Sequence, residues 1–170
     1  MWKYKESIIS DISQIPEGAF GFVYEVVYLP SGKRYVGRKQ LISITTKALG
    51  KREISELTDK RASKKKKVQK ESDWKTYYGS HSEIKQLIKE GKQEEFERTI
   101  LQFAYSPKHL TYLETKYLFS LEVLENSDLY FNDNILGKFF RKDIPPHIQI
   151  QMLPQESEIY QRLYFLCIST

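Results

Sequence analysis

The chain has 170 residues, of which 40% are hydrophobic, enough to bury one core and to form a single domain. Its formal net charge is only +5, so where the charges lie matters more than their sum. The one cysteine, Cys167, excludes an internal disulfide and a zinc cluster built on cysteines. No apolar run is long enough to cross a membrane and the polar first residues are unlike a signal peptide, so we expect a soluble, cytoplasmic protein.

The first predicted element is a β-hairpin over residues 19–38, which follows a lead-in of residues 1–18. Aromatic and β-branched residues fill Gly21–Tyr28, as is typical of a strand. The run Pro30-Ser31-Gly32-Lys33 supplies a turn into the second strand.

A tyrosine lies toward each end of this hairpin, Tyr24 on the first strand and Tyr35 on the second. Gly37 follows the second tyrosine and has no side chain to keep a backbone or a phosphate away. The two phenols could therefore form one wall of a phosphate site. The alternative is that both are structural, because tyrosine-rich hairpins are common.

Residues 39–75 are predicted to be a basic insertion, because lysines and arginines far outnumber acids there. Four of its lysines are consecutive, and like charges at that spacing repel, so this run is not expected to fold on itself. It is either a solvated arm or a contact for a polyanion, and the run itself leaves both open. The four are Lys64, Lys65, Lys66 and Lys67.

A helix, a strand and a second helix are predicted next. Cap-type residues at 80–83 predict a helix that ends at Gly91. Residues 95–103 predict a third strand. Pro107 begins a long helix with leucines at three- and four-residue steps, which the polar segment 126–128 is expected to stop.

Glu114 lies in the middle of the apolar stripe of that long helix. At about 100° per residue it falls among Leu113 and Tyr117 on a helical wheel. Burying an ionised carboxylate without a partner is costly, so a compensating charge is expected. That charge could be an ion pair with Arg34, Arg38 or another base, or a divalent metal ion, for which a carboxylate is a hard oxygen ligand.

Two more polar residues could act near a phosphate. His81 stands at a predicted helix start, where free N–H groups favour anions, although a surface or capping role is commoner. Asn132 lies between aromatic residues and an aspartate, and its simplest interpretation is a turn residue that caps its own backbone.

Four motifs occur in a fixed order along the chain: Phe22-Val23-Tyr24, Tyr35-Val36-Gly37, Glu114 on a helix after the third strand, and the later Asn132. In this order, and in the spacing of the two tyrosines, the chain resembles the GIY-YIG nucleases over about residues 19–136. The stretches 81–85, 96–101 and 114–118 resemble those of phage-type homing endonucleases. The resemblance implies an α/β fold with a small three-stranded antiparallel sheet flanked by helices.

The resemblance also implies a role for each matching residue. Tyr24 would lie beside the nucleophilic water as a candidate general base, and Tyr35 would support that water and the phosphate. Gly37 would allow close packing there. Glu114 would hold one Mg²⁺ or Mn²⁺, which polarises the scissile phosphate. Asn132 would brace the site at the end of the fold.

The chain departs from the family pattern at one position. The family has an arginine on a helix soon after the second motif, and here the basic insertion takes that place. Arg38 is the first candidate to replace that arginine as the cation on the phosphate, with Lys39 and Lys75 next. His81 completes the candidate catalytic set.

Aromatic and basic side chains at 72–80 suit a DNA backbone, as do the four consecutive lysines. One aromatic residue of that segment, Trp74, could equally belong to the core. The candidate DNA contacts are Lys39, Lys64, Lys65, Lys66, Lys67, Trp74, Lys75 and Tyr77.

The preferred function is a metal-dependent DNA endonuclease, because a pure binding module has no need of a carboxylate near a phosphate. The alternative is a non-catalytic nucleic-acid-binding module on the same scaffold, and a third class, a protein-interaction factor, has no positive support. DNA is the expected partner, with specificity from the insertion, the tail, a homodimer or a partner protein. The nuclease domain is expected over residues 19–140, with a C-terminal extension over 141–170.

Overall fold

The structure, a computed structural model, describes residues 1–56, 59, 61 and 63–144. Its strands are β1 (Trp2–Tyr4), β2 (Ser7–Ile9), β3 (Gly21–Tyr28), β4 (Lys33–Gln40), β5 (Ile42–Ala48), β6 (Lys65–Glu71), β7 (Phe96–Ala104), β8 (Asn134–Ile135) and β9 (Phe139–Phe140). Its α-helices are α1 (Lys51–Ser55), α2 (Ser82–Lys89) and α3 (Pro107–Ser120). None of these helices is long and apolar enough to cross a membrane.

Five strands form the main sheet, in the order β2-β1-β7-β3-β4. The predicted three-stranded antiparallel sheet is present as β7-β3-β4, but the predicted size is wrong. Residues of the expected lead-in add β1 and β2, and β1 runs parallel to β7. Each added strand is only three residues long, too short for the alternation of apolar and polar residues that marks a strand.

Trp2 explains why β1 joins the sheet. Its side chain is fully buried, and its indole N–H donates a hydrogen bond to the Trp74 carbonyl oxygen at 2.8 Å. Its ring meets Phe22 and Tyr24 edge-on, with centroids 5.1 and 5.2 Å away. The strand is therefore held by burial of one large aromatic side chain, a tertiary contact that a local pattern does not show.

The two faces of the sheet pack against different partners. On one face Phe22 and Tyr24 join the Trp2 core, and on the other Val23 packs against Leu110 and Leu113 of α3. Helix α3 begins as predicted, with proline in its first turn and the Ser106 hydroxyl accepting from the His109 N–H.

The ends of the helices follow local backbone signals. Helix α3 ends at Ser120, earlier than the predicted stop at 126–128, and Glu122 then adopts a left-handed φ of 48°. Helix α2 begins after His81 and is followed by Gly91 at φ 84°, which confirms the predicted glycine at its end.

In its described part the basic insertion is a hairpin. The lysine run does not fold on itself, but three of its lysines begin β6 and pair with β5. Strands β5 and β6 pair antiparallel in one register from Ile42 with Glu71 to Ala48 with Lys65. Successive side chains of a strand point to opposite faces, so neighbouring lysines do not crowd each other as the sequence suggests.

The predicted C-terminal extension falls mainly outside the described residues. Residues 141–144 belong to them and include a short 3₁₀ helix at Arg141–Asp143. Cys167 lies outside the described part of the chain.

Candidate active site

A cleft of about 500 Å³ opens at β4, the edge strand of the sheet. Its wall contains five of the predicted catalytic residues: Tyr35, Arg38, His81, Glu114 and Asn132. They come from β4, the start of α2, the middle of α3 and the segment before β8. The fold thus brings together side chains that are far apart in the sequence.

The edge position of β4 allows groups from both faces of the sheet to meet. Tyr35 packs with the Trp2 core on one face, and Val36 packs with the α3 core on the other. Arg38 has the same parity as Val36 and reaches Glu114 of α3. The Tyr35 phenol from one face and the Arg38–Glu114 ion pair from the other therefore border the same cleft.

Glu114 is paired with Arg38, one of the partners that the sequence left open. The Arg38 Nε lies 3.1 Å from the Glu114 Oε2, and the two side chains are 40% and 16% exposed. Arg38 also donates to the Thr111 hydroxyl, one turn earlier on α3. Burial raises the pKa of the Glu114 carboxyl, and the Arg38 charge acts in the opposite direction.

Tyr24 lies below the cleft, next to Tyr35. The register pairs Tyr24 with Gly37 and Tyr35 with Val26, so the two tyrosines are diagonal neighbours rather than opposite ends of a ribbon. Their ring centroids are 6.2 Å apart. Burial, followed by the neighbouring Tyr35 and Tyr77, raises the pKa of the Tyr24 phenol well above its usual value.

Burial likewise raises the pKa of Tyr35, whose hydroxyl lies 2.7 Å from the Ser80 hydroxyl oxygen. Both phenols therefore keep their protons at neutral pH. In this state Tyr35, which lines the cleft, can orient a water molecule or a phosphate through hydrogen bonds, and neither phenol is a ready base.

Gly37 leaves room for both phenols. A Cβ atom at this position would lie 2.7 Å from the Tyr24 Oη and 2.9 Å from the Tyr35 Cε1. Both distances are shorter than atoms can approach without displacement. The predicted close packing at Gly37 is therefore a packing of tyrosine side chains against its backbone.

His81 is fixed by Asp133, a residue that the sequence did not single out. The His81 Nε2 lies 3.0 Å from the Asp133 Oδ2. Among the described residues its Nδ1 is buried without a hydrogen-bond partner. His81 also precedes the first residue of α2, as the sequence predicted. The only signal for Asp133 was its place after Asn132.

Asn132 braces β4 rather than capping its own backbone, which corrects the turn interpretation. Its side-chain Oδ1 accepts from the Val36 N–H at 3.0 Å, and its Nδ2 donates to the Val36 carbonyl at 2.8 Å. The Asn132 carbonyl in turn accepts from Arg141 at 2.8 Å. The buried amide fixes the strand that carries Tyr35 and Arg38.

The predicted DNA contacts near residue 75 separate into buried and accessible ones. Trp74 is fully buried and cannot stack on a base, so its assignment as a DNA contact is corrected. Lys75 is paired with Asp11 and Glu71 at 3.0 and 3.2 Å. Its charge is therefore already compensated within the protein.

Lys39 and Tyr77 border a second cleft of about 490 Å³, next to the first. The Lys39 ammonium lies 3.7 Å from the centroid of the Tyr77 ring and 2.6 Å from Asp73. Arg38 lines both clefts, and Lys70 of β6 lines the second. A continuous surface thus runs from Glu114 to the base of the basic hairpin.

The chemistry of the ligands restricts which metal fits this cleft. No group of three His, Cys, Asp or Glu residues that could hold a metal occurs in residues 1–56, 59, 61 and 63–144. Mg²⁺ and similar hard cations keep several waters and bind through one or two carboxylates plus substrate phosphates. Glu114 fits that pattern, whereas a closed zinc site does not fit the described residues.

A family model described as "Putative endonuclease segE, GIY-YIG domain" matches residues 2–135. The chain belongs to the GIY-YIG nuclease family. The match includes β1 and β2, which the sequence resemblance over residues 19–136 did not. No curated protein and no solved structure matches the chain significantly.

The two GIY-YIG motifs lie side by side on β3 and β4. Their phenols, from Tyr24 and Tyr35, are close to the cleft that holds Glu114. The residues that carry the resemblance to the family therefore lie in or beside this cleft.

Proposed function

We propose that this GIY-YIG protein is a DNA endonuclease that hydrolyses phosphodiester bonds, with Mg²⁺ or Mn²⁺ held by Glu114. The observation that carries the proposal is the convergence of a half-buried carboxylate, a guanidinium and a phenol on one open cleft. A divalent cation bound there supplies a Lewis acid for the scissile phosphate. Its protein ligand would be the Glu114 carboxylate.

The tyrosines are suited to positioning. Tyr35 lines the cleft and stays protonated at neutral pH, so its hydroxyl orients the attacking water and the phosphate. Preorganised donors of this kind need no rearrangement during the reaction. Tyr24 is buried beside Tyr35 and supports the Tyr35 ring from below. Tyr35 is itself held by the Ser80 hydroxyl.

Arg38 is proposed as the cation that replaces the family arginine. Its side chain is 40% exposed and borders both clefts, so a phosphate that enters either cleft meets the guanidinium. Guanidinium groups bind phosphate through paired N–H donors. Asn132 supports this role indirectly, through the backbone of β4.

A non-catalytic DNA-binding module remains the competing function. The basic hairpin suits it, but a pure binding module gives no role to a carboxylate that takes up the charge of Arg38 where a phosphate would bind. The two functions differ in one measurable property, the hydrolysis of DNA.

The test is incubation of the purified protein with supercoiled plasmid, in Mg²⁺, in Mn²⁺ or in EDTA. Cleavage is expected in Mg²⁺ and not in EDTA. Glu114→Gln should abolish cleavage and leave DNA binding intact, because it removes the charge and keeps the shape. Glu6→Gln, at an exposed position, is the matched control and should cut like wild type. Binding without cleavage by the wild-type protein in either metal would favour the binding module.

A further inference from the structure

The hairpin β5–β6, here called the basic ribbon, stands apart from the main sheet. It forms its own two-stranded sheet, and no residue of either strand is buried. Even Ile44 is 52% exposed. Apart from Ile42, which packs against the core, the described part of the chain leaves both faces of the basic ribbon largely open.

The basic ribbon carries a concentrated positive charge. Its two strands hold five lysines and one acid, Glu71, which is itself paired with Lys75 at 3.2 Å. Within the described part of the chain, Lys66 is the one ribbon lysine in an ion pair, with Glu53. The five lysines are Lys47, Lys65, Lys66, Lys67 and Lys70.

The lysines point to both faces of the basic ribbon. The register pairs Lys47 with Lys66, which places these two on one face with Lys70. Lys65 and Lys67 belong to the opposite face. A flat polyanion would engage one face, whereas a groove with phosphates on both sides can engage both.

We propose that the basic ribbon inserts into the major groove of the duplex that is cut in the cleft, an inference that rests on the proposed function. The major groove of B-DNA is about 12 Å wide and admits a two-stranded ribbon. Short polar side chains lie among the lysines at Thr45, Thr46 and Gln69. Such side chains form hydrogen bonds with base edges, which gives the basic ribbon a means of selecting sequence.

The position of the basic ribbon agrees with this proposal. The second cleft joins its base, at Ser43 and Lys70, to Arg38 and Lys39 of β4. Arg38 also borders the Glu114 cleft. One DNA duplex can therefore follow the surface from the basic ribbon to the catalytic side chains.

The first test measures the salt dependence of DNA binding in EDTA. The ribbon variant carries Lys65→Gln, Lys67→Gln and Lys70→Gln, and the control carries Lys5→Gln, Lys89→Gln and Lys116→Gln. Both lose the same charge at exposed positions. Each phosphate contact contributes about 0.9 to the slope of log affinity against log salt, so the ribbon variant should lose about two to three units. The control should keep the wild-type slope, and equal slopes for all three proteins would overturn the proposal.

A second variant separates charge from folding. Replacing the same three lysines with arginine keeps the positive charges and should restore most of the wild-type slope. If the glutamine variant had lost its fold, its melting temperature would fall and the arginine variant would still report on the contacts. An arginine variant that folds and binds with the glutamine slope would contradict the proposal.

The groove is tested with duplexes that carry bulky groups at C5 of their pyrimidines. These groups project into the major groove, so wild-type protein should bind them at least about tenfold more weakly. Unchanged affinity would exclude major-groove insertion. Plasmid cleavage by the wild-type protein is scored separately. No cleavage by wild type, together with a reduced salt slope in the ribbon variant alone, would reject only the proposed nuclease. Cleavage by wild type, together with equal slopes for all three proteins, would reject only the role of the basic ribbon.

Discussion

Gly37 shows how a single missing methyl group shapes the site. Gly37→Ala would place a carbon 2.7 Å from the Tyr24 Oη and force one or both phenols to move. A displacement of about 1 Å can cost roughly 100-fold in rate, and overpacking costs about 1–3 kcal/mol in stability. We expect both losses, measured by plasmid cleavage and by thermal unfolding.

Gly50→Ala is the matched control for this change, because the nearest atom to its added methyl is 3.5 Å away. It should keep cleavage. A Gly37→Ala protein that cuts at the wild-type rate would show that the close packing of the two phenols is unimportant.

Glu114 links the site to stability through its pKa. A carboxyl whose pKa rises on folding holds its proton more tightly in the folded chain, so its ionised form costs stability at higher pH. Glu114→Gln should therefore leave the melting temperature unchanged or raise it by up to about 4 °C at pH 8. The difference should shrink as the pH falls through the raised pKa toward the usual value of 4.5, because wild type then becomes neutral too.

Thermal unfolding of both proteins in EDTA between pH 4 and pH 8 measures this effect. A variant that melts well below wild type at pH 8 would mean that the ion pair with Arg38 stabilises the fold by more than burial of the Glu114 carboxylate destabilises it.

Among the elements, β7 is tied to the segment before α2 by one side chain. Arg98 donates to the Lys75 and Tyr77 carbonyls at 3.0 and 2.8 Å, between the rings of Trp2 and Tyr78. It forms no ion pair with the described acidic residues, and burial lowers its pKa. The arginine therefore works as a hydrogen-bond clamp.

Arg98→Met keeps the apolar stem and removes the donors, which leaves two carbonyls without partners. We expect a loss of about 2–4 kcal/mol in the free energy of unfolding, measured with denaturant. Arg52→Met, at an exposed position on α1, should change stability little. Similar losses of stability in the two variants would show that Arg98 does not hold the segment before α2 to β7.

An element could be predicted where its own residues show a periodic or capping pattern. Strands β3, β4 and β7 and helices α2 and α3 show alternation, helical spacing or caps, and Tyr24, Tyr35 and Glu114 could be singled out on them. Strands β1 and β2 could not be predicted, because they depend on the burial of Trp2. The basic ribbon could not be predicted from its lysine run, because a row of like charges suggests repulsion. In a strand, successive side chains point to opposite faces, and this repulsion is reduced.

In the candidate site, the side-chain contacts between segments that are distant in the sequence could not be predicted. Asp133 acts on His81, and Asn132 binds the backbone of Val36, 96 positions away. A sequence pattern identifies a residue type in a helix or strand, but these partners are chosen by the packing of whole elements.

At the scale of the whole molecule, the described part of the chain provides one cleft with Glu114. Under the proposed function, one such site would hydrolyse one strand at each encounter. We expect nicked circular plasmid to accumulate before linear plasmid in a time course with protein below plasmid concentration. Linear product that forms at the same rate as nicked product would instead indicate a pair of sites acting together, as in a dimer.

The parallel pairing of β1 with β7 has a consequence for synthesis of the chain. Trp2 binds a carbonyl 72 positions further along, and Lys3 binds Glu97, 94 positions further along. At about 5–20 residues per second, β1 leaves the ribosome several seconds before its neighbour exists. The β3–β4 hairpin can form as soon as it emerges, whereas Trp2 and Ile9 stay exposed to water until Trp74 and β7 have been made. The two strands that are made first are thus the last to join the sheet, and during that interval a chaperone that holds aromatic side chains would find Trp2 exposed.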